Sequence, residues 1–164
     1  MGKLREPLDQ LAACGLPQAL EVTGERWSFM ILRGAFNGLC HFEEFLGALG
    51  IARNILSNRL AKLVENGILK REACAEDRRK IEYRLTDKGL DLLPALLALK
   101  QWGEKYTLTE PSNPVVVDAR DWLPVRPITI CAHDGRELAY ADLRWQERSK
   151  IGQNRDLEHG NPHE

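Results

Sequence analysis

The stretch from residue 51 to residue 89 constrains the fold of this 164-residue chain more than any other part of it. Apolar residues recur at helical spacing from about Ala52 to Asn66, and polar or basic residues occupy the opposite side. Gly67 follows as the predicted left-handed stop of this helix. Two strand-like runs, 68–74 and 81–85, then flank the basic segment AEDRRK. The order of a helix, a hairpin and a further helix predicts a winged helix-turn-helix.

The segments before residue 51 supply the rest of that module. The pattern predicts a short helix over 17–22, a helix over 24–36 that is apolar on two sides, and an amphipathic helix over 41–49. A helix that is apolar on two sides is typical of the centre of a core. Gly50 separates the third of these helices from the helix that follows, as in a helix-turn-helix.

The segment after the hairpin predicts one long helix from Asp87 to about Tyr106, with Thr86 as its N-cap and a kink at Pro94. This helix is strongly apolar and has more apolar surface than packing against one small domain requires. We therefore expect it to be shared with a second subunit.

These patterns predict an α+β fold, mainly α, which is a winged helix-turn-helix with a small C-terminal β-hairpin extension. The extension is predicted to contain strands over 127–132 and 138–143, joined at the turn signal Asp134-Gly135. The predicted parts are an N-terminal arm (1–13), the winged-helix and dimerisation domain (14–106), a linker (107–114), the β extension (115–146) and a disordered polar tail (147–164).

Charge is distributed unevenly along the chain. The formal net charge is −1, but residues 51–84 contain nine basic and five acidic residues. A local basic footprint of this kind is compatible with binding double-stranded DNA. The chain contains no run of about 18 apolar residues and no signal peptide. We therefore expect no membrane partner and a cytoplasmic protein that joins the nucleoid when it binds DNA.

The exposed side of the helix in the opening segment and the tip of the hairpin are the predicted DNA contacts. Arginine and asparagine side chains read guanine and adenine edges, whereas serine and lysine suit phosphates. An ordinary solvated surface is the alternative interpretation of both groups. The predicted contacts are Arg53, Asn54, Ser57, Asn58, Arg59 and Lys62 on the helix, and Arg78, Arg79 and Lys80 at the hairpin tip.

Cysteine and histidine spacing predicts neither a metal site nor a cofactor. The four cysteines are scattered and form no C-x-x-C pair, and the four histidines form no ligand set. Cys131 lies in a predicted hairpin, Cys131-Ala132-His133-Asp134, that we expect to hold no metal. No nucleophile–base constellation or phosphate loop is present, so we do not expect an enzyme.

Five stretches together resemble the HxlR-type transcriptional regulators, a branch of the MarR-like winged-helix proteins. They are Cys14 followed by Ala19-Leu20, GERWSFMILR, HFEEF, IARNILSNRLAKLVENGIL, and IEYRLTDKGLDLLPALLALKQWGEKY. The resemblance covers residues 14–106 and implies a homodimer formed through the N-terminal segment and the long helix. On that helix we expect the interface to include Leu92, Leu96, Leu99 and Trp102.

The resemblance also implies a signal input, because many members of the family sense oxidants, quinones or aldehydes through a cysteine near the N-terminus. Cys14 is the matching residue, although Gly15 follows it where the family often has proline. The alternative is that Cys14 is a small apolar residue packed at the dimer interface.

Together these features predict a homodimeric, sequence-specific transcriptional regulator, with repression as its predicted mode. Its partners would be a pseudo-palindromic operator, a second copy of the chain, and a small-molecule or redox signal. The alternative is a winged-helix protein-interaction module that lacks specific DNA binding.

Overall fold

The computed structural model describes residues 14–24, 26–75, 77–110, 112–146 and 148–151. The described residues of 14–128 lie in one compact unit, and those of 129–151 belong to a second one. The predicted arm (1–13) and most of the predicted tail (147–164) lie outside the described residues. The helices are α1 (Gly15–Thr23), α2 (Arg26–Phe36), α3 (Phe42–Leu49), α4 (Arg53–Glu65), α5 (Asp87–Leu90) and α6 (Leu93–Thr107).

The core of the first unit is built around α2, as the two-sided apolar pattern predicts. Ile31 and Leu32 on α2 are completely buried, and so are Phe45 on α3 and Leu56 on α4. The cluster continues through α4 into the first strand of the hairpin. Burial of these side chains fixes α2, α3 and α4 against one another, with the other side of α4 outside the core.

The predicted hairpin is present as an antiparallel pair of strands, β1 (Leu69–Ala73) and β2 (Ile81–Leu85). Gly67 precedes it with a φ of 66°, the left-handed conformation expected after α4. Residues 40 and 41 lie along the other edge of β2, where the Tyr83 amide donates to the Cys40 carbonyl at 2.7 Å. The hairpin is thereby attached to the start of α3 as well as to the end of α4.

The single long helix predicted over 87–106 is wrong, because the chain forms α5 and α6 separated by Asp91 and Leu92. Thr86 is the N-cap of α5, as predicted, and its hydroxyl accepts from the Gly89 amide at 3.1 Å. Pro94 does not kink a continuous helix but lies in the first turn of α6. Proline has no amide hydrogen to donate to the Leu90 carbonyl, so α5 cannot continue through it.

The segment after α6 contains isolated bridges rather than continuous strands. One bridge joins Val117 to Pro124, and a second joins Cys131 to Glu137 across a turn at Asp134-Gly135. This hairpin is shorter than the two predicted strands, and a 3₁₀ turn covers Tyr140–Asp142 where the second strand was expected. Among the described residues, no helix is both long enough and apolar enough to cross a membrane.

Candidate nucleic-acid interface

Helix α4 buries one side and exposes the other, as its sequence pattern predicts. Leu56, Leu60 and Leu63 are at most 1% exposed and attach the helix to α2 and β1. Most of the predicted DNA-contact residues at its N-terminal half lie on the exposed side: Arg53, Asn54, Ser57 and Asn58. The core therefore holds α4 rigidly while presenting amide, hydroxyl and guanidinium groups that can reach base edges and phosphates.

Arg53 is oriented by a neighbouring helix. Its guanidinium binds both carboxylate oxygens of Glu43 on α3, at 2.8 and 3.0 Å, and lies 5.2 Å from the centre of the Phe42 ring. The hydrogen bonds from Arg53 lower the pKa of the Glu43 carboxyl. Both side chains are well exposed, so this ion pair contributes little to stability. Its effect is to hold the arginine at the N-terminus of α4, where a phosphate would compete with Glu43 for it.

Arg59 and Lys62 occupy different positions from the other predicted contacts on α4. Both residues are half-buried. The guanidinium of Arg59 lies beside the turn at Gly24 that joins α1 to α2, and α1 packs against α4 there. The sequence pattern places residue 59 at the boundary of the apolar side, since it lies three residues after Leu56. The orientation of the Arg59 side chain depends on where α1 packs. The helical periodicity of α4 cannot predict that position.

The wing, defined here as residues 69–85, presents a basic tip. Arg78, Arg79 and Lys80 are all exposed, and the side chain of Arg79 is 94% exposed. The backbone amide of Arg79 donates to Asp77 Oδ1 at 3.1 Å, which shapes the turn. The tip therefore carries long cationic side chains on a short, locally hydrogen-bonded turn, an arrangement suited to phosphate contact.

Cys14 is the N-cap of α1. Its Sγ accepts a hydrogen bond from the Leu16 amide at 3.5 Å, and the residue is half-buried. A sulfur atom at this position is close to the unpaired amides of the first helical turn. Leu16 and Leu20 on the same helix are more than half exposed, so α1 itself presents apolar surface.

Helix α6 also carries exposed apolar side chains. All of its residues are described, and none of them is fully buried. Of the four predicted interface residues, Leu99 is 56% exposed and Trp102 is 60% exposed. Leu96 is half-buried, and Leu92 packs partly against the core. The rings of Trp102 and Tyr106 contact each other with their centres 5.6 Å apart and their planes tilted by 48°, so the exposed surface continues toward the C-terminus of the helix.

A group of polar side chains that sequence spacing did not predict lies where α3 begins. Cys40, His41 and Glu82 bring their sulfur, ring nitrogen and carboxylate oxygen within 4.8 Å of one another. Burial and the negative charges of Glu44 and Glu82 raise the pKa of the Cys40 thiol. The adjacent pair Cys40-His41 is visible in the sequence, but Glu82 is forty residues away and joins the pair only through β2.

In a comparison with known protein families, residues 22–111 match the family model of the HxlR-like helix-turn-helix. An uncharacterised HTH-type transcriptional regulator from Mycobacterium tuberculosis is 42% identical over 123 residues, which are 74% of this chain and 77% of that protein. The regulator YdeP of Bacillus subtilis is 32% identical over 99 residues, covering 60% of this chain and 77% of that protein.

Solved structures with the same fold include the following two. The crystal structure of PA1607, a candidate transcription factor, is 40% identical with a TM-score of 0.77, and the match covers 85% of this chain and 99% of that one. The redox regulator HypR in its oxidised form is 32% identical with a TM-score of 0.51, and the match covers 56% of this chain and 96% of HypR.

Proposed function

Because this chain belongs to the HxlR-like helix-turn-helix family of transcriptional regulators, we propose that it binds an operator as a homodimer and represses transcription there. The observation that carries the proposal is the exposed polar side of α4, held by a buried core and followed directly by a basic wing. In this mechanism α4 reads base edges in the major groove, and the wing tip contacts the backbone beside it.

The apolar surfaces of α1 and α6 support the homodimeric part of the proposal. Leu16, Leu20, Leu99, Trp102 and Tyr106 are each more than half exposed in the single chain. Exposed apolar side chains that recur along one helix are typical of an interface between subunits. A two-fold dimer presents two α4 helices, so the operator is a pseudo-palindrome with half-sites about one or two helical turns apart.

Two features support a signal input. The fold matches that of HypR, which is a redox regulator, and Cys14 lies at a helix N-terminus, where a thiol is more reactive. A cavity of about 590 Å³ between α2, α6 and residues 114–116 has mostly apolar walls that include Phe29 and Leu96, with Arg33 and Lys100 in its lining. That size suits a small molecule, and its position beside α6 suits control of dimer geometry.

The test is the salt dependence of DNA affinity for the wild-type chain and for a variant with Arg78, Arg79 and Lys80 all changed to alanine. If these residues bind phosphates, the variant has a shallower log–log slope, by roughly one unit for each phosphate that it no longer binds. The operator is first selected from random duplexes. The matched control replaces three exposed arginines after α6: Arg120, Arg136 and Arg144.

An unchanged slope in the wing-tip variant would remove the wing from the interface. No salt-sensitive preference for any duplex in the wild-type chain would overturn the proposal and favour the protein-interaction module instead. The control variant is expected to keep the wild-type slope, since its arginines lie outside the helix-turn-helix and the wing.

A further inference from the structure

The junction between the wing and the start of α3 brings together three side chains with different donor atoms. His41 forms an antiparallel bridge with Glu82, and the Tyr83 amide donates to the Cys40 carbonyl at 2.7 Å. These backbone contacts place Cys40 Sγ, a ring nitrogen of His41 and a carboxylate oxygen of Glu82 within 4.8 Å of one another. The grouping is therefore held by the sheet and not by flexible surface side chains.

The hydrogen bonding of His41 leaves one ring nitrogen directed at this grouping. Nδ1 lies 3.1 Å from the Ile81 carbonyl, which can only accept, so Nδ1 carries the hydrogen. In the neutral ring, Nε2 then presents its lone pair toward Glu82 Oε1, 4.0 Å away. Two acceptors that face each other repel unless a cation lies between them or the ring itself is charged. Histidines that bind metals show this same arrangement, with the other ring nitrogen donating to a carbonyl.

Glu82 is also oriented in the way that metal-binding carboxylates are. The residue is only 9% exposed. Arg84 donates to its Oε2 at 2.7 Å. This contact leaves Oε1 facing His41, whose Nε2 lies 4.0 Å away. Ligating carboxylates are usually hydrogen-bonded by neighbours that fix their direction in this manner.

We propose that Cys40, His41 and Glu82 form a binding site for a divalent cation of the zinc class. Sulfur, imidazole nitrogen and carboxylate oxygen are the three ligand types that Zn²⁺ takes in proteins. One thiolate and one carboxylate neutralise the charge of the ion. Tetrahedral zinc places its ligand atoms roughly 3.3–3.8 Å apart, so the observed separations require movements of only a few tenths of an ångström up to about one. Three protein ligands leave a fourth position for water.

The ligands come from two sides of one junction. Cys40 and His41 precede α3 in the helix-turn-helix, whereas Glu82 is in β2 of the wing. A bound ion would therefore fix the wing relative to the helices that carry it. This consequence, unlike the site itself, rests on the proposed function, because it matters only if helix and wing bind one operator together.

The site is tested on the metal-free full-length chain, without DNA, by titration with Co²⁺ and Zn²⁺. We expect one ion per chain and a sulfur-to-cobalt charge-transfer band. Mutating a residue that only hydrogen-bonds a metal ligand typically lowers metal affinity by roughly 10- to 100-fold. Cys40→Ser and His41→Gln should each lower the affinity by more than that. The glutamine at 41 keeps a donor for the Ile81 carbonyl. The matched control is the double variant Cys131→Ser and His133→Gln in the exposed C-terminal hairpin.

Binding that is unchanged in the Cys40 and His41 variants would overturn the site, and so would the absence of stoichiometric binding in the wild-type chain. X-ray absorption of the zinc-loaded wild-type chain provides a test that needs no variant to fold. A coordination shell with one sulfur and the remainder nitrogen and oxygen is expected, and a shell without sulfur contradicts the proposal.

A second experiment separates this proposal from the proposed function. Operator affinity is measured with and without Zn²⁺, and an increase of about fivefold or more is expected for the wild-type chain but not for His41→Gln. Unchanged affinity while the ion is bound would overturn its regulatory role. If no variant binds any operator, the proposed function fails, and the titration without DNA still decides whether the site exists.

Discussion

At the scale of single residues, the predicted DNA contacts on α4 divide into residues suited to bases and residues suited to phosphates. Asn54 is exposed near the N-terminus of the helix, whereas Lys62 is half-buried near its end. We expect Asn54→Ala to weaken binding to the operator by about 1–3 kcal/mol, because alanine cannot make the bidentate pair with adenine, and to change binding to random duplexes little.

Lys62→Ala is the matched comparison for Asn54→Ala, since removing a cation that binds phosphate lowers affinity for every sequence alike. Both variants are measured by fluorescence anisotropy on the selected operator and on a scrambled duplex. If Asn54→Ala lowers the affinity for the two duplexes equally, Asn54 contacts the DNA backbone and not a base.

The proposed redox role of Cys14 also concerns a single residue, because it depends on the Sγ atom alone. Its Sγ already accepts from the Leu16 amide at the start of α1. If this thiol receives the redox signal, diamide should lower the operator affinity of the wild-type chain and leave that of Cys14→Ser unchanged. Cys131→Ser, which removes an exposed thiol of the C-terminal hairpin, should respond like the wild type. The same decrease in Cys14→Ser and in the wild type would exclude Cys14 from the response.

At the scale of elements, the contact between α5 and the end of α4 determines where the wing begins and ends. Thr86 donates its hydroxyl to the Gly67 carbonyl at 2.6 Å and accepts from Gly89 at 3.1 Å. A side chain at Gly89 would place its Cβ 2.3 Å from the Ile68 carbonyl oxygen, well inside van der Waals contact. The backbone of α5 therefore approaches β1 so closely that only glycine fits at this position.

Gly89→Ala is accordingly expected to lower the free energy of unfolding by about 1–3 kcal/mol or more, because backbone atoms would have to shift. Gly47→Ala in α3 is the control, since a Cβ there has nothing within 4 Å. That change should raise stability by up to about 1 kcal/mol through helix propensity. Urea unfolding measures both, and equal effects of the two substitutions would contradict the close contact.

At the scale of the whole molecule, the single chain leaves apolar surface that a second subunit would cover. Leu99→Glu combined with Trp102→Glu would place two charges in the proposed interface, and burying them without partners is costly. We expect the wild-type chain to be dimeric and this variant to be monomeric in analytical ultracentrifugation.

The control for the interface uses the same residue types outside α6. Trp122 and Leu123 are 77% and 63% exposed in the segment that follows this helix. Replacing both with glutamate is expected to leave the dimer intact. If the α6 variant remains dimeric, the dimer interface lies on another surface of the chain.

The sequence by itself determined the elements whose cause is local. The apolar periodicity of α4, its stop at Gly67, the cap at Thr86 and the two strands of the wing follow from residues within a few positions of one another. Helical and strand periods, capping hydrogen bonds and left-handed glycine all act over that range. The exposed polar residues of α4 could therefore be predicted without coordinates.

Only the tertiary structure decided what depends on distant parts of the chain. The half-burial of Arg59 depends on where α1 lies, and the contact of Glu82 with Cys40 and His41 depends on residue 41 pairing with β2. The separation of α5 from α6 reflects a competition between an apolar helical pattern and a proline that cannot donate a hydrogen bond. Local periodicity cannot predict such outcomes, because they depend on the register between segments that are far apart in the chain.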